Sequence, residues 1–185
     1  STFSLLRELV LDHNQVTDIK PLESLTNLQR LHLRNNQISD LSPLATLEQL
    51  ESLALQNNQI TDLSTLSSLK KLTEVYLGWN QISDLTPLSS LEQLTTLTLN
   101  HNEIVDISQL SPLTSLKQLD LSSNQIENIE PLVSLVNLEE LYLNRNQIIE
   151  TGALRQMPNL SEVYIYNNPV ENFICPTTQD ALCFL

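Results

Sequence analysis

Leucine recurs every 22 residues along this chain, at Leu6, Leu28, Leu50, Leu72, Leu94, Leu116, Leu138 and Leu160. Asparagine keeps the same step, at Asn14, Asn36, Asn58, Asn80, Asn102, Asn124, Asn146 and Asn168. A period in this range is the mark of a stacked solenoid. One such unit cannot bury its own apolar edge, so neighbours bury it jointly and stability becomes close to a sum over adjacent pairs. Stacking also lines up equivalent residues of successive units, so the surface can be read as a grid of columns.

The unit from Leu72 to Leu91 shows what each repeat builds. Val75 and Leu77 alternate with Glu74, Tyr76 and Gly78, a period of two that predicts a short half-buried strand. After it, Pro87, Leu88, Leu91 and Leu94 are spaced for a 3₁₀ turn or very short helix with Pro in its first turn. Each repeat is therefore strand, bend, short helical return. The asparagine at the bend carries donors and an acceptor, which can satisfy backbone groups of its own loop and of the next. Interrupting that ladder leaves a buried polar group unpaired, at a cost of about 1–3 kcal/mol.

The pattern L-x-x-L-x-L-x-x-N-x-I resembles the leucine-rich repeat consensus over nearly the whole chain. The segment N-Q-I-S-D-L-S-P-L at Asn36 to Leu44 looks most like the 22-residue class of bacterial internalins, although phosphatase-regulatory repeat proteins share the length. The resemblance implies an α/β fold: a right-handed solenoid with a parallel concave sheet of about eight short strands and 3₁₀ or short helical convex returns. It divides the chain into eight repeats over residues 1–170 and a C-terminal cap over 171–185. Only Phe3 and Leu5 precede the first repeat leucines, so an N-terminal cap is expected to belong to a longer parent. Ser1 is not an initiator Met and no signal peptide is visible, which fits a processed product or a piece of a longer chain. The tail, with Cys175 and Cys183, resembles the ends of cyanobacterial leucine-rich repeat proteins. That implies a disulfide closing the open sheet edge in an oxidising compartment. The alternative is a pair of reduced thiols packed with Phe173 and Phe184. A zinc site lacks a third ligand nearby.

Net charge is −13. Phosphates of nucleic acid or anionic lipid would be repelled, so a cationic or neutral partner fits better. No apolar stretch reaches the ~18 residues of a membrane span.

Four columns form the concave grid. The first holds Glu8, Arg30, Ser52, Glu74, Thr96, Gln118, Glu140 and Glu162. The second holds Val10, His32, Ala54, Tyr76, Thr98, Asp120, Tyr142 and Tyr164. The third runs from Asp12 and Arg34 through Gln56 and Gly78 to Tyr166, and the rim column from His13 through Trp79, His101 and Arg145 to Asn167. The 4 tyrosines and the 1 tryptophan of the chain all lie in this grid. Aromatics favour strands, yet exposed aromatics on a polar surface mark contact sites. Two zones are expected to bind a protein or peptide ligand of basic character. The first comprises Glu74, Tyr76, Trp79 and His101, with Gly78 leaving backbone open between the aromatics. The second comprises Asp120, Glu140, Tyr142, Arg145, Glu162, Tyr164 and Tyr166, where carboxylates beside aromatic faces suit ion pairs and cation–π contact. Tyr164 and Tyr166 could instead pack under the C-terminal cap. At the other end, Glu8 with Arg30 and Asp12 with Arg34 are expected to neutralise each other across strands.

A second ladder, Asp18, Asp40, Asp62, Asp84, Asp106, Asn128 and Glu150, could recruit Ca²⁺. Independent capping of each helical return accounts better for its exact repetition. The seventh repeat loses its Pro and the preceding aliphatic at Thr151-Gly152-Ala153, which predicts a longer or irregular return. No catalytic constellation is apparent: His13 and His101 lie on the order of 19 Å apart by strand spacing, and there is no phosphate loop or Cys–His pair. No cofactor is expected. The reading is a non-enzymatic binding module of an exported bacterial protein. The alternatives are an intracellular scaffold docking on an enzyme such as a phosphatase, and a structural spacer.

Overall fold

The computed structural model describes residues 5–171, 173, 175 and 181–184. The expectations for Ser1 and Phe3, and part of the 171–185 cap, lie outside the described residues. Among the described residues nine parallel strands pair strictly in chain order. Eight of them are β1 (Glu8–Val10), β2 (Arg30–His32), β3 (Ser52–Ala54), β4 (Glu74–Tyr76), β5 (Thr96–Thr98), β6 (Gln118–Asp120), β7 (Glu140–Tyr142) and β8 (Glu162–Tyr164). The ninth, β9 (Leu182–Phe184), comes from the cysteine-bearing tail.

Each strand is three residues by pairing, but the ladder continues past it. Leu77 N–H donates to Thr98 O at 2.8 Å and Trp79 N–H to Asn100 O at 2.8 Å. The five-residue alternation in the sequence corresponds to this longer ladder. Inward residues such as Leu53, Val75 and Leu97 are fully buried, and so are the consensus leucines of the returns from Leu44 onward. They form one continuous core from Ile19 to Ile165.

The asparagines work as the sequence suggests, with one change of partner. Asn80 donates to Leu77 O of its own repeat and to Leu55 O of the preceding one, both at 3.0 Å. Its Oδ1 accepts the Ile60 N–H at 3.0 Å. The link is therefore to the preceding unit. The aspartates cap their own returns: Asp40, Asp62 and Asp84 accept the N–H of Ser42, Ser64 and Thr86 at 2.8–2.9 Å. Asn128 does the same for Glu130.

The seventh return keeps the common length but ends differently, with Met157 extended at ψ 97° and its N–H 3.4 Å from Leu154 O. Gly152–Gln156 is a five-residue 3₁₀ turn like most others, because Thr151 takes the fully buried place that Ile or Leu holds elsewhere. The short return is the fifth, Ser108–Leu110. Its proline comes later, at Pro112, so the segment closes through Ser111 instead.

Candidate interaction face

The open face of the sheet carries the four columns in register. Arg30 lies 3.7 Å from Glu8, and Arg34 Nε meets Asp12 at 2.7 Å. Arg30 and Arg34 are thus both set in cross-strand pairs.

The rim column has a backbone property that the residue pattern alone does not announce. His13, Asn35, Asn57, Trp79, His101, Ser123, Arg145 and Asn167 all have φ between 54 and 59°. The chain must bend sharply there so that the next asparagine can turn beneath the strand. Asn tolerates the left-handed region, whereas a bulky side chain in it is strained. Three asparagines in this column were the available signal. Trp79, at φ 59°, keeps 55% of its surface exposed. Its indole stacks on the His101 imidazole with centroids 3.6 Å apart and planes 15° from parallel. Burial in this stack pushes the His101 pKa below its ordinary 6.5, and the nearby Arg145 charge adds to that, against an opposing pull from Asp120. On the other side of the indole, Asn57 and Asn35 border an open hollow, and Asn57 Nδ2 donates to Asn35 Oδ1 at 2.6 Å.

Gly78 does not leave backbone open. It is buried, and a Cβ there would collide with the Asn100 side-chain amide. The neighbouring amide covers the strand because glycine leaves it room.

At the C-terminal end the rings of Tyr142, Tyr164 and Phe184 form one parallel stack, with centroids 4.5 and 4.3 Å apart. Each tyrosine hydroxyl donates to the carboxylate two residues before it, Tyr142 to Glu140 at 3.4 Å and Tyr164 to Glu162 at 3.1 Å. Gln118 Nε2 adds a bond to Glu140 Oε2 at 3.0 Å. Burial raises the pKa of Tyr142, and the adjacent Glu140 charge raises it further. The stack corrects one expectation. Both faces of Tyr164 are covered, so a cation cannot lie on them, and only the face of Tyr142 toward β6 stays open. Asp120 stands on β6 directly opposite Tyr142. Burial pushes the Asp120 pKa up, against two hydrogen bonds from Ser122 to its Oδ1. The packing of Tyr164 against the tail is realised through Phe184. Tyr166, 38% exposed, stands apart beside Val170 and Phe173.

The Cys175–Cys183 disulfide is formed, with Cα atoms 6.3 Å apart. It holds β9 on the sheet edge, where Glu162 pairs with Leu182 and Tyr164 with Phe184. This pairing steps by 20 residues rather than 22, which hid the ninth strand from the period. Among the described residues no three His, Cys, Asp or Glu side chains gather as a metal group. None of their helices is long and apolar enough to cross a membrane.

The sequence model described as Leucine Rich repeats (2 copies) matches residues 4–46, 48–90, 92–134 and 136–176. A search among curated proteins gives no match. Among solved structures, an internalin (inlF) of Listeria monocytogenes is 34% identical with a TM-score of 0.77, covering 92% of this chain and 57% of that one. This chain thus spans little more than half of that internalin. Internalin C2 of the same species is 36% identical with a TM-score of 0.84, covering 89% of this chain and 72% of its own length. A leucine-rich repeat protein of Leptospira interrogans is 27% identical with a TM-score of 0.79, covering 92% and 51%. With its asparagine ladder, its unbroken 22-residue register and these likenesses, the chain belongs to the leucine-rich repeat family, in the class that the internalins represent.

Proposed function

We propose that this domain binds a protein ligand on its concave face, as a non-catalytic module of an exported bacterial protein. The observation that carries the reading is Trp79. Stability alone favours Asn or Gly at its left-handed position, so an exposed indole held there at a backbone cost points to a contact role. Around it, Glu74, Tyr76 and His101 form one contact zone. Asp120, Glu140, Tyr142, Arg145, Glu162, Tyr164 and Tyr166 form the second.

Charge supports a partner with basic character. Asp120, Glu140 and Glu162 lie together on β6 to β8, and one carboxylate oxygen of each glutamate is outside the tyrosine bonds. A Lys or Arg of the partner fits between Asp120 and the open face of Tyr142, with the carboxylate as ion-pair partner and the ring as a cation–π surface. The disulfide supports an oxidising location, because reducing cytosol opposes such bonds. Leucine-rich repeat modules of this class are generally non-catalytic interaction modules.

The test is capture of the natural partner by wild type, Trp79→Ala and Tyr142→Ala. Loss of most binding is expected in both variants, and undiminished capture by both overturns the proposal. Thiol labelling of the protein taken from its host, denatured without reductant, checks the location. Labelled Cys175 and Cys183 would move it to the cytosol.

A further inference from the structure

The second column carries rings at His32 and Tyr76, with Ala54 between them. Ala54 is 5% exposed and forms the floor of a surface depression bordered by His32, Arg34, Gln56, Glu74 and Tyr76. Two strand steps separate the flanking residues, about 9.5 Å at ~4.8 Å per step. Elsewhere in this column consecutive strands place their rings 4.5 and 4.3 Å apart, centroid to centroid. One flat ring inserted above Ala54 therefore reaches both neighbours at the spacing this sheet already uses. Within this column Ala54 is the position where a single strand without a ring lies between two strands that carry one.

The polar rim has unspent capacity. Ser52 Oγ at 3.0 Å and Tyr76 Oη at 3.4 Å both donate to Glu74 Oε2, which leaves Oε1 without either bond. Gln56 Oε1 is enclosed and has no donor among the described residues. An enclosed unpaired acceptor is unfavourable, so a donor offered in the depression favours a turn of this amide toward it. The charged groups that border the depression are one of each sign, Arg34 and Glu74. Arg34 borders the depression, and the carboxylate that pairs with it, Asp12, lies two strands away from Ala54, on the far side of β2.

We propose that this gap is an insertion slot for a neutral aromatic side chain of the partner that bears an N–H or O–H, tryptophan before tyrosine. The ring lies between His32 and Tyr76, and its donor is taken by Glu74 Oε1 or Gln56. The slot deepens the concave-face reading and rests on it for its biological use. It also differs in chemistry from the acidic zone on β6 to β8, so the partner presents an aromatic residue toward the N-terminal repeats and a basic one toward the C-terminal repeats.

The probe is N-acetyl-tryptophanamide, titrated against the whole domain and followed by NMR. Saturable upfield shifts of the His32 ring and Tyr76 ring protons are expected, with no such shifts at Tyr164. Ala54→Tyr fills the gap with the ring that Tyr142 and Tyr164 already supply in this column, and it should weaken the probe by about tenfold or more, the worth of one to two ring stacks. Should that variant fold poorly, Tyr76→Thr, which copies Thr98 of the next strand, removes one wall and is expected to lose the probe as well. Absence of saturable shifts, or equal binding by these variants, overturns the slot. Trp79-dependent capture of the natural partner without probe binding overturns the slot alone. Probe binding with Trp79-independent capture supports the slot and overturns the wider two-zone reading.

Discussion

At the residue scale, Trp79 and His101 combine a backbone cost with an electrostatic signature, and each can be read separately. The left-handed φ of 59° disfavours any Cβ. Trp79→Gly should therefore be more stable to urea than Trp79→Ala by about 1 kcal/mol, although both lose the same indole. Equal stability of the two would remove the strain. His101 titrates below its ordinary value because burial disfavours the imidazolium. With the folded pKa below the unfolded one, its neutral form stabilises the fold above the unfolded pKa, and that stabilisation is lost as pH falls from about 6.5 toward the folded value. Trp79 is the single tryptophan of the chain, so its fluorescence reports the event. Emission should drop through quenching by the imidazolium in a step centred below 6.5, and His101→Gln should abolish the step. A step that persists in the variant assigns it elsewhere. The pattern of residues named Trp79 and His101 as neighbours, since column position follows from the period. For the left-handed backbone of the column it offered only the three asparagines, because that conformation depends on how the bend seats the next asparagine.

At the element scale, the asparagine ladder turns eight weak bends into one rigid spine. Asn80 satisfies Leu55 O, Leu77 O and Ile60 N–H, all in the interior. Asn80→Ala strands these groups and should cost roughly 2–5 kcal/mol in urea unfolding. Asn14, at the exposed end, donates to Leu11 O and Asp12 O where water can replace it. Asn14→Ala should cost less than about 1 kcal/mol. Comparable losses at both sites would mean that the ladder acts through helical-return geometry rather than through buried bonds. The eight repeat strands, a return in each repeat, the ladder and the aspartate caps were legible in the sequence, because each follows from a periodic residue with a fixed local chemistry, whereas the short fifth return was not. Two other features were not. The ninth strand sits at a step of 20, in a tail outside the period that the Cys175–Cys183 bond ties back. The depression above Ala54 depends on what its neighbours in adjacent repeats are. The signal for it was a small residue between His32 and Tyr76 in one column, visible only when a column is read for missing side chains as well as for conspicuous ones.

At the scale of the whole molecule, a solenoid whose repeats touch only their neighbours need not unfold as one body. The C-terminal end tests this, because three features converge there. The disulfide spans eight residues and restrains β9, β9 supplies the backbone partner of β8, and Phe184 caps the ring stack through Tyr164 to Tyr142. Closing so short a loop is worth about 2–3 kcal/mol on the chain-entropy account, comparable to the small local stability expected of a three-residue edge strand. Replacing Cys175 and Cys183 together by serine should release β9 and uncover one face of Tyr164. Amide exchange should then accelerate in β8 and β9, while β3 to β6 keep their protection, since their neighbours and asparagine bonds are untouched. The uncovered Tyr164 face, beside Glu162 and Glu140, would be newly open to a cation, so the double variant should gain affinity for an arginine-bearing peptide at this end relative to the oxidised protein. Uniform loss of protection along all repeats would instead make the disulfide a clamp on the whole solenoid, and the stack would have to be regarded as part of its global stability rather than as the closed end of a binding face.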